Sequence, residues 1–213
     1  MTSDFQNPLV VMALPIESQE VFEKAGVPVL YTGVGKVNAA WSLARRLSDY
    51  RHASKPLPLV VNFGTAGSRR FATHTLVACN AFVQHDMDVT GLGFERGATP
   101  FDRSPARLEF EPAFQNLTPA ICGSGDTFQT GECFLPCDVI DMEAYALAKV
   151  CWLENTRFAC VKYVTDGADH AAANDWQSNL HRAADEFLRC YRDLSARFSE
   201  DMVGAYRCTP VDG

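Results

Sequence analysis

The sequence predicts an α/β protein, a largely parallel sheet covered by helices on both faces, and three observations predict it. Short apolar runs at 9–14, 57–63 and 158–164 are bounded by turn or polar residues and are too short for helices, as buried parallel strands are. Between them lie segments whose apolar residues recur at spacings of three and four. The two kinds of segment alternate along the chain, which is the pattern of βαβ units.

Taken in order, 9–14 reads as the first strand and 27–31 as a second. A helix over 36–47 follows from Val37, Ala40, Trp41, Ala44 and Leu47, the face expected to be buried. Strands follow at 57–63 and 75–83. The stretch 96–119 is rich in Pro, Arg and Phe without a period and reads as a long loop or lid. Met142, Tyr145, Ala146 and Val150 mark the next helix, 158–164 the next strand, and Phe187, Tyr191, Leu194 and Phe198 a final helix. The whole chain, 1–213, fits one domain, with 208–213 a loose tail.

Composition narrows the function. Hydrophobic residues make up 47% and charged residues 21%, which suits a packed domain and not a disordered chain. A net charge of −7, with basic residues clustered only in pairs such as Arg45-Arg46 and Arg69-Arg70, argues against a nucleic-acid partner. No apolar run has the length of a membrane span, and the N-terminus lacks a basic segment followed by an apolar one, so a cytoplasmic enzyme away from membranes is expected. The eight cysteines then read as reduced, mostly buried thiols. Cys133 and Cys137 lack the second pair a zinc site needs, so no metal is expected. His85 in His-Asp-Met-Asp reads as part of a structural loop near the site. Lys36 in Gly-Val-Gly-Lys-Val lacks phosphate-loop spacing.

In such a sheet, ligands bind beyond the carboxyl ends of the strands. That places 15–17, 64–67, 84–90 and 165–169 at the site, a set that includes two carboxylates, a glycine-bearing turn and hydroxyls.

Seven segments, in order, carry a resemblance. MALPIESQ, TGVGKVNAA, NFGTAGS, QHDMDVTGLGFERG, GSGDTF, DMEAYALAKVC and VKYVTDGAD resemble successive motifs of the nucleoside phosphorylase and nucleosidase superfamily. Within it they resemble the 5′-methylthioadenosine/S-adenosylhomocysteine nucleosidases. The resemblance implies a three-layer α/β/α fold with a central mixed, largely parallel sheet, no cofactor, and a homodimer. It also implies hydrolysis of the N-glycosidic bond of an adenine-type nucleoside.

Cleaving a purine from ribose creates a poor anionic leaving group and a cationic sugar, a problem suited to two carboxyl groups on opposite sides of the bond. By similarity, Asp166 protonates the leaving purine, for which it must carry a proton near neutrality, and burial favours that form. Glu17 orients and deprotonates the attacking water. Glu143, expected inside a helix beside Met142, accepts from the ribose hydroxyls while Met142 packs on the sugar. Phe128 stacks on the base and the backbone of Gln129 reads its edge. Thr65, Ala66 and Gly67 form a loop under base and sugar, and Thr165 joins the substrate-binding set.

The chain also departs from the family. Lys162 stands where many members carry Arg, so an ion pair there would be a point contact. Asp141 replaces a common Glu, and 18–31 and 96–120 are short, where the group on the ribose five-position would bind. The rival readings are a phosphorylase, which Glu17 opposes by repelling phosphate, and a catalytically silent nucleoside-binding homologue.

Overall fold

The computed structural model describes residues 7–127, 135–167 and 182–205, with side chains described to residue 197. Strand β1 (Leu9–Met12) leads through two one-turn helices, α1 (Pro15–Ser18) and α2 (Val21–Lys24), to β2 (Val29–Tyr31). Helix α3 (Lys36–His52) precedes β3 (Val60–Gly67) and β4 (Leu76–Gln84). After a 3-10 turn at Thr90–Leu92 come β5 (Arg107–Glu109), β6 (Thr118–Ser124), β7 (Val139–Asp141), α4 (Ala144–Leu153), β8 (Phe158–Asp166) and α5 (Ala183–Ala205).

All eight strands join one mixed sheet in the order β2-β1-β3-β7-β6-β4-β5, with β8 pairing both β3 and β4. Because β7 also touches β3, through the single pair Gly67 with Ile140, strands β3, β8, β4, β6 and β7 close on themselves. The parallel pairs are β1 with β2 and β3, β3 with β8, β4 with β6, and β6 with β7.

Two apolar cores lie on the two sides of this sheet. One joins Ala39, Leu43 and Leu47 of α3 and the buried face of α4 to Val60, Phe82 and Val139. The other joins Phe22 of α2 and Phe187, Tyr191 and Leu194 of α5 to Val10, Val61 and Phe63. The result is the expected three-layer α/β/α arrangement.

Three readings change. Val37 and Trp41 are 78% and 63% exposed, and the buried stripe of α3 is Ala39, Leu43 and Leu47. Residues two apart lie about 200° apart around a helix, so Val37 and Trp41 turn away from the Ala39 side, while Leu47 and Ala40 of the expected face do pack on the core. The expected loop at 96–119 contains β5 and the start of β6. Leu108, fully buried between exposed Arg107 and Glu109, is too short an alternation to announce a strand. The Gly64–Gly67 stretch is the end of β3 itself, not a loop. The tail at 208–213, the side chain of Phe198, and Cys133 and Cys208 lie outside the described residues.

Candidate active site

A cavity of about 240 Å³ opens beyond the carboxyl ends of β1, β3, β7 and β8. Glu17, Thr65, Ala66, Gly67, Met142, Glu143 and Asp166, all expected from the sequence, line it. Phe128 and Gln129 lie outside the described residues, as do Ala168 and Asp169. Thr165 is fully buried behind the wall, where its hydroxyl donates to Asp166 Oδ2 at 2.9 Å. The segment 84–90 contributes nothing to the cavity wall, and His85 is buried in the β4 exit turn, its ring against Gly123 and Gly125.

Glu17 sits at the third position of α1, with Pro15 opening the helix at a position where no backbone N–H is needed. Its Oε2 accepts from the N–H groups of Ala13 and Leu14, both at 3.0 Å, the reach-back of an acidic residue in a first turn. Its Oε1 accepts from the N–H and hydroxyl of Thr65, at 3.2 and 3.3 Å. Four donors thus converge on a carboxyl group that is only 4% exposed. An ordinary first-turn acid would stand in solvent, whereas Glu17 is buried.

Asp166 ends β8, paired with Gly67 after a register shift in β3 between Ala66 and Gly67. Its carbonyl accepts from Ser68 N–H at 3.0 Å, which ties the ends of β3 and β8 together and turns its carboxyl group into the cavity.

Glu143 does not sit inside a helix: it is the residue before the first turn of α4. Its Oε1 accepts from the N–H of Gly35, at 2.9 Å, across 108 positions of chain. Gly35 has φ of +94°, a conformation glycine adopts readily, and a Cβ there would lie 3.2 Å from Asp126 Oδ1. Burial, then the neighbouring charge of Asp141, pushes the Glu143 carboxyl up to about 8, although Lys162 and the Gly35 N–H pull the other way. Near neutrality it is mainly protonated, so one oxygen can donate and the other accept.

Beneath these groups, Lys162 Nζ meets Asp141 Oδ2 at 2.7 Å, both side chains almost wholly buried. Burial opposes both charges. Even so, their mutual attraction holds Lys162 well above its ordinary range and Asp141 below its own, the latter with help from the Ser124 hydroxyl and the Ala144 N–H. The contact is one ammonium to one carboxylate oxygen, the point geometry expected of Lys. Gly64 makes room for it, since a Cβ there would stand 2.9 Å from Nζ and 3.5 Å from Glu17 Oε1.

Among the described residues the wall is completed by Ala13, Leu14, Val34, Thr127, Ile140 and Asp141. Sequence reasoning missed the apolar members because an isolated Val or Ile carries no signal of which cavity it faces. Only the position of Ala13 and Leu14 at the end of the 9–14 apolar run could have flagged them.

Comparison with known proteins gives the family. The model of the phosphorylase superfamily matches residues 19–196. A 5′-methylthioadenosine/S-adenosylhomocysteine nucleosidase of Marinomonas sp. (strain MWYL1) is 30% identical, covering 77% of this chain and 78% of the relative. The enzyme of the same name from Haemophilus influenzae (strain PittEE) is 32% identical over 74% of this chain and 76% of its own. Among solved structures, the Helicobacter pylori nucleosidase of that name superposes with a TM-score of 0.76 at 19% identity, covering 89% of this chain and 98% of that one. The futalosine hydrolase of H. pylori strain 26695 has the same score, identity and coverage. The chain belongs to the phosphorylase superfamily, among its members similar to the 5′-methylthioadenosine/S-adenosylhomocysteine nucleosidases.

Proposed function

We propose that this protein is a purine nucleosidase that hydrolyses the N-glycosidic bond of an adenine-type nucleoside, such as 5′-methylthioadenosine or S-adenosylhomocysteine, to free base and sugar. The observation that carries the reading is the convergence of Glu17, Glu143 and Asp166 on one cavity. Asp166 gives its proton to the departing base, Glu17 takes one from the attacking water, and Glu143 bridges the ribose hydroxyls while Met142 packs on the sugar. Phe128 and Gln129 are assigned to the base by resemblance alone. The nucleosidase names of the sequence relatives support the same reaction.

Hydrolysis is favoured over phosphorolysis by where the donors go. A phosphate beside the sugar would need N–H and O–H groups at the end of β3, but Thr65 gives both of its own to Glu17. The start of α3, another natural anion cradle, is filled likewise: Gly35 N–H donates to Glu143, and Lys36 N–H donates to Asp126 at 2.8 Å. The presence of both acids also weighs against a silent homologue.

The deciding experiment measures base release from a panel of adenine, hypoxanthine and 5′-thio nucleosides, with and without phosphate. Phosphate-independent release of adenine is expected, and Asp166→Asn and Glu17→Gln should each lower turnover by at least about 100-fold while keeping the fold. Release that requires phosphate and yields a sugar 1-phosphate would replace this reading with a phosphorylase. No release from any nucleoside would replace it with a binding protein.

The protein also acts as a homodimer in the cytoplasm in this reading. Support for the dimer comes from exposed apolar side chains: Val34, Val37 and Trp41 around the start of α3, and Leu92 after β4. Among the described residues no helix is long and apolar enough to cross a membrane.

A further inference from the structure

The one-turn helix that carries Glu17 cannot hold its own place, since a single turn costs more ordering than its hydrogen bonds return. Nor does its connection to α2 hold it by default. Gln19 and Glu20 follow directly at φ of 48° and 58°, two successive left-handed residues that both carry a Cβ. Beyond them α2 is fixed, because Phe22 is fully buried against Phe63 and Tyr191, with ring centroids 5.7 and 6.0 Å away. So α1 hangs between the end of β1 and an anchored α2, through a link that would relax if it were released.

We propose that Tyr31 is the positioning residue that holds this link and thereby aims Glu17, a role that rests on the nucleosidase reading only for its catalytic consequence. Tyr31 is the last residue of β2 and pairs in register with Met12, the last residue of β1. Its hydroxyl reaches across to Ser18 Oγ, 2.5 Å away, and to Glu23 Oε1. Ser18, itself 1% exposed, also contacts the Pro15 carbonyl at 3.1 Å, Glu23 at 3.3 Å and the Glu20 N–H at 3.3 Å. One phenol therefore ties the last residue of α1, the left-handed link and α2 to the sheet edge. Burial, with Glu23 beside it, pushes the phenol up to about 12, so it remains a donor throughout the working range. This knot occupies the segment that is short compared with the resembled family, and it supplies a fixed edge there from three side chains.

The test uses the full chain with Tyr31→Phe, Ser18→Ala and their double variant, followed by amide hydrogen exchange and steady-state kinetics. Tyr31→Phe keeps the ring and removes the hydroxyl. The amides of Ala13, Leu14 and Thr65, which all donate to Glu17, should exchange about tenfold faster while those of β8 keep their protection. Turnover should fall about tenfold with KM within about twofold, the double variant should be no worse than either single, and Glu23→Gln should keep the wild-type pattern that Glu23→Ala loses. Unchanged protection at those three amides in Tyr31→Phe, or a loss spread equally over β8 and α5, would overturn the proposal. If the three amides open and turnover stays at the wild-type level, the positioning of Glu17 by Tyr31 stands and the assignment of Glu17 as the base falls.

Discussion

At the scale of single residues, the site is defined by how each carboxyl group is satisfied. Glu17 has four donors, Glu143 one backbone N–H and a buried acidic neighbour, and Asp166 the adjacent Thr165 hydroxyl. For Glu143 this has a consequence for stability. Its folded value of about 8 lies above the ordinary 4.5, so the folded protein binds a proton that the unfolded chain has released between those limits. The stabilisation is complete below about pH 4.5 and is lost as pH rises through 8. Glu143→Gln keeps an oxygen for the Gly35 N–H and removes the titration. Thermal unfolding should therefore show the variant more stable than wild type at pH 9, with the gap closing as pH falls toward 5. A gap independent of pH would contradict the burial of an ionisable Glu143. Glu17 and Asp166 were legible as residues because each follows an apolar strand run. Their partners were not, because Thr65 lies 48 positions from Glu17 and Gly35 lies 108 from Glu143.

At the scale of elements, the Lys162–Asp141 pair fastens β8 to β7 inside the closed ring of strands. A buried ion pair adds little over an apolar pair, but removing one partner strands the other charge at a cost of about 3–5 kcal/mol. Lys162→Met should lower stability on that scale in denaturant titration, and adding Asp141→Asn should recover much of the loss. Equal stability of the single and double variants would show that the charges are not coupled. Helix α3 makes a different prediction. Its exposed Val37 and Trp41 belong to the proposed dimer face, so Trp41→Asp should shift sedimentation from dimer to monomer at micromolar concentration while the far-UV circular dichroism spectrum stays that of wild type. A dimer that survives this change would move the interface elsewhere. The same helix shows how size misleads: Val37 and Trp41 lie outside, while Ala39, Leu43 and Leu47 lie in the core shared with α4.

At the scale of the whole molecule, mixed pairing sets the position of the cavity. Strand β8 runs parallel to β3 and antiparallel to β4, so the sheet curls until β7 meets β3 at Gly67. That closure brings the ends of β1, β3, β7 and β8 to one point. The solved structures this protein resembles, at 19% identity, share the fold and leave the group on the sugar undetermined. In the proposed reading that choice falls to the wall between α1 and α3, where Leu14 and Val34 line the cavity. The nucleoside panel with varied five-position groups is expected to rank substrates by apolar contact there, and a preference for unsubstituted nucleosides would refute that ranking.

The sequence by itself determined the fold class, five of the eight described strands and the order of the family motifs, because those strands are short, apolar and locally encoded. It also determined which acids stand at strand ends. Tertiary structure alone decided what those acids touch: the Thr65 donors of Glu17, the Gly35 cap on Glu143, and the Lys162 ammonium under Gly64. The physical reason is range. Strand and helix patterns come from neighbours within a few positions. The charge state and aim of a buried carboxyl group are set by donors and charges brought close only when the sheet closes.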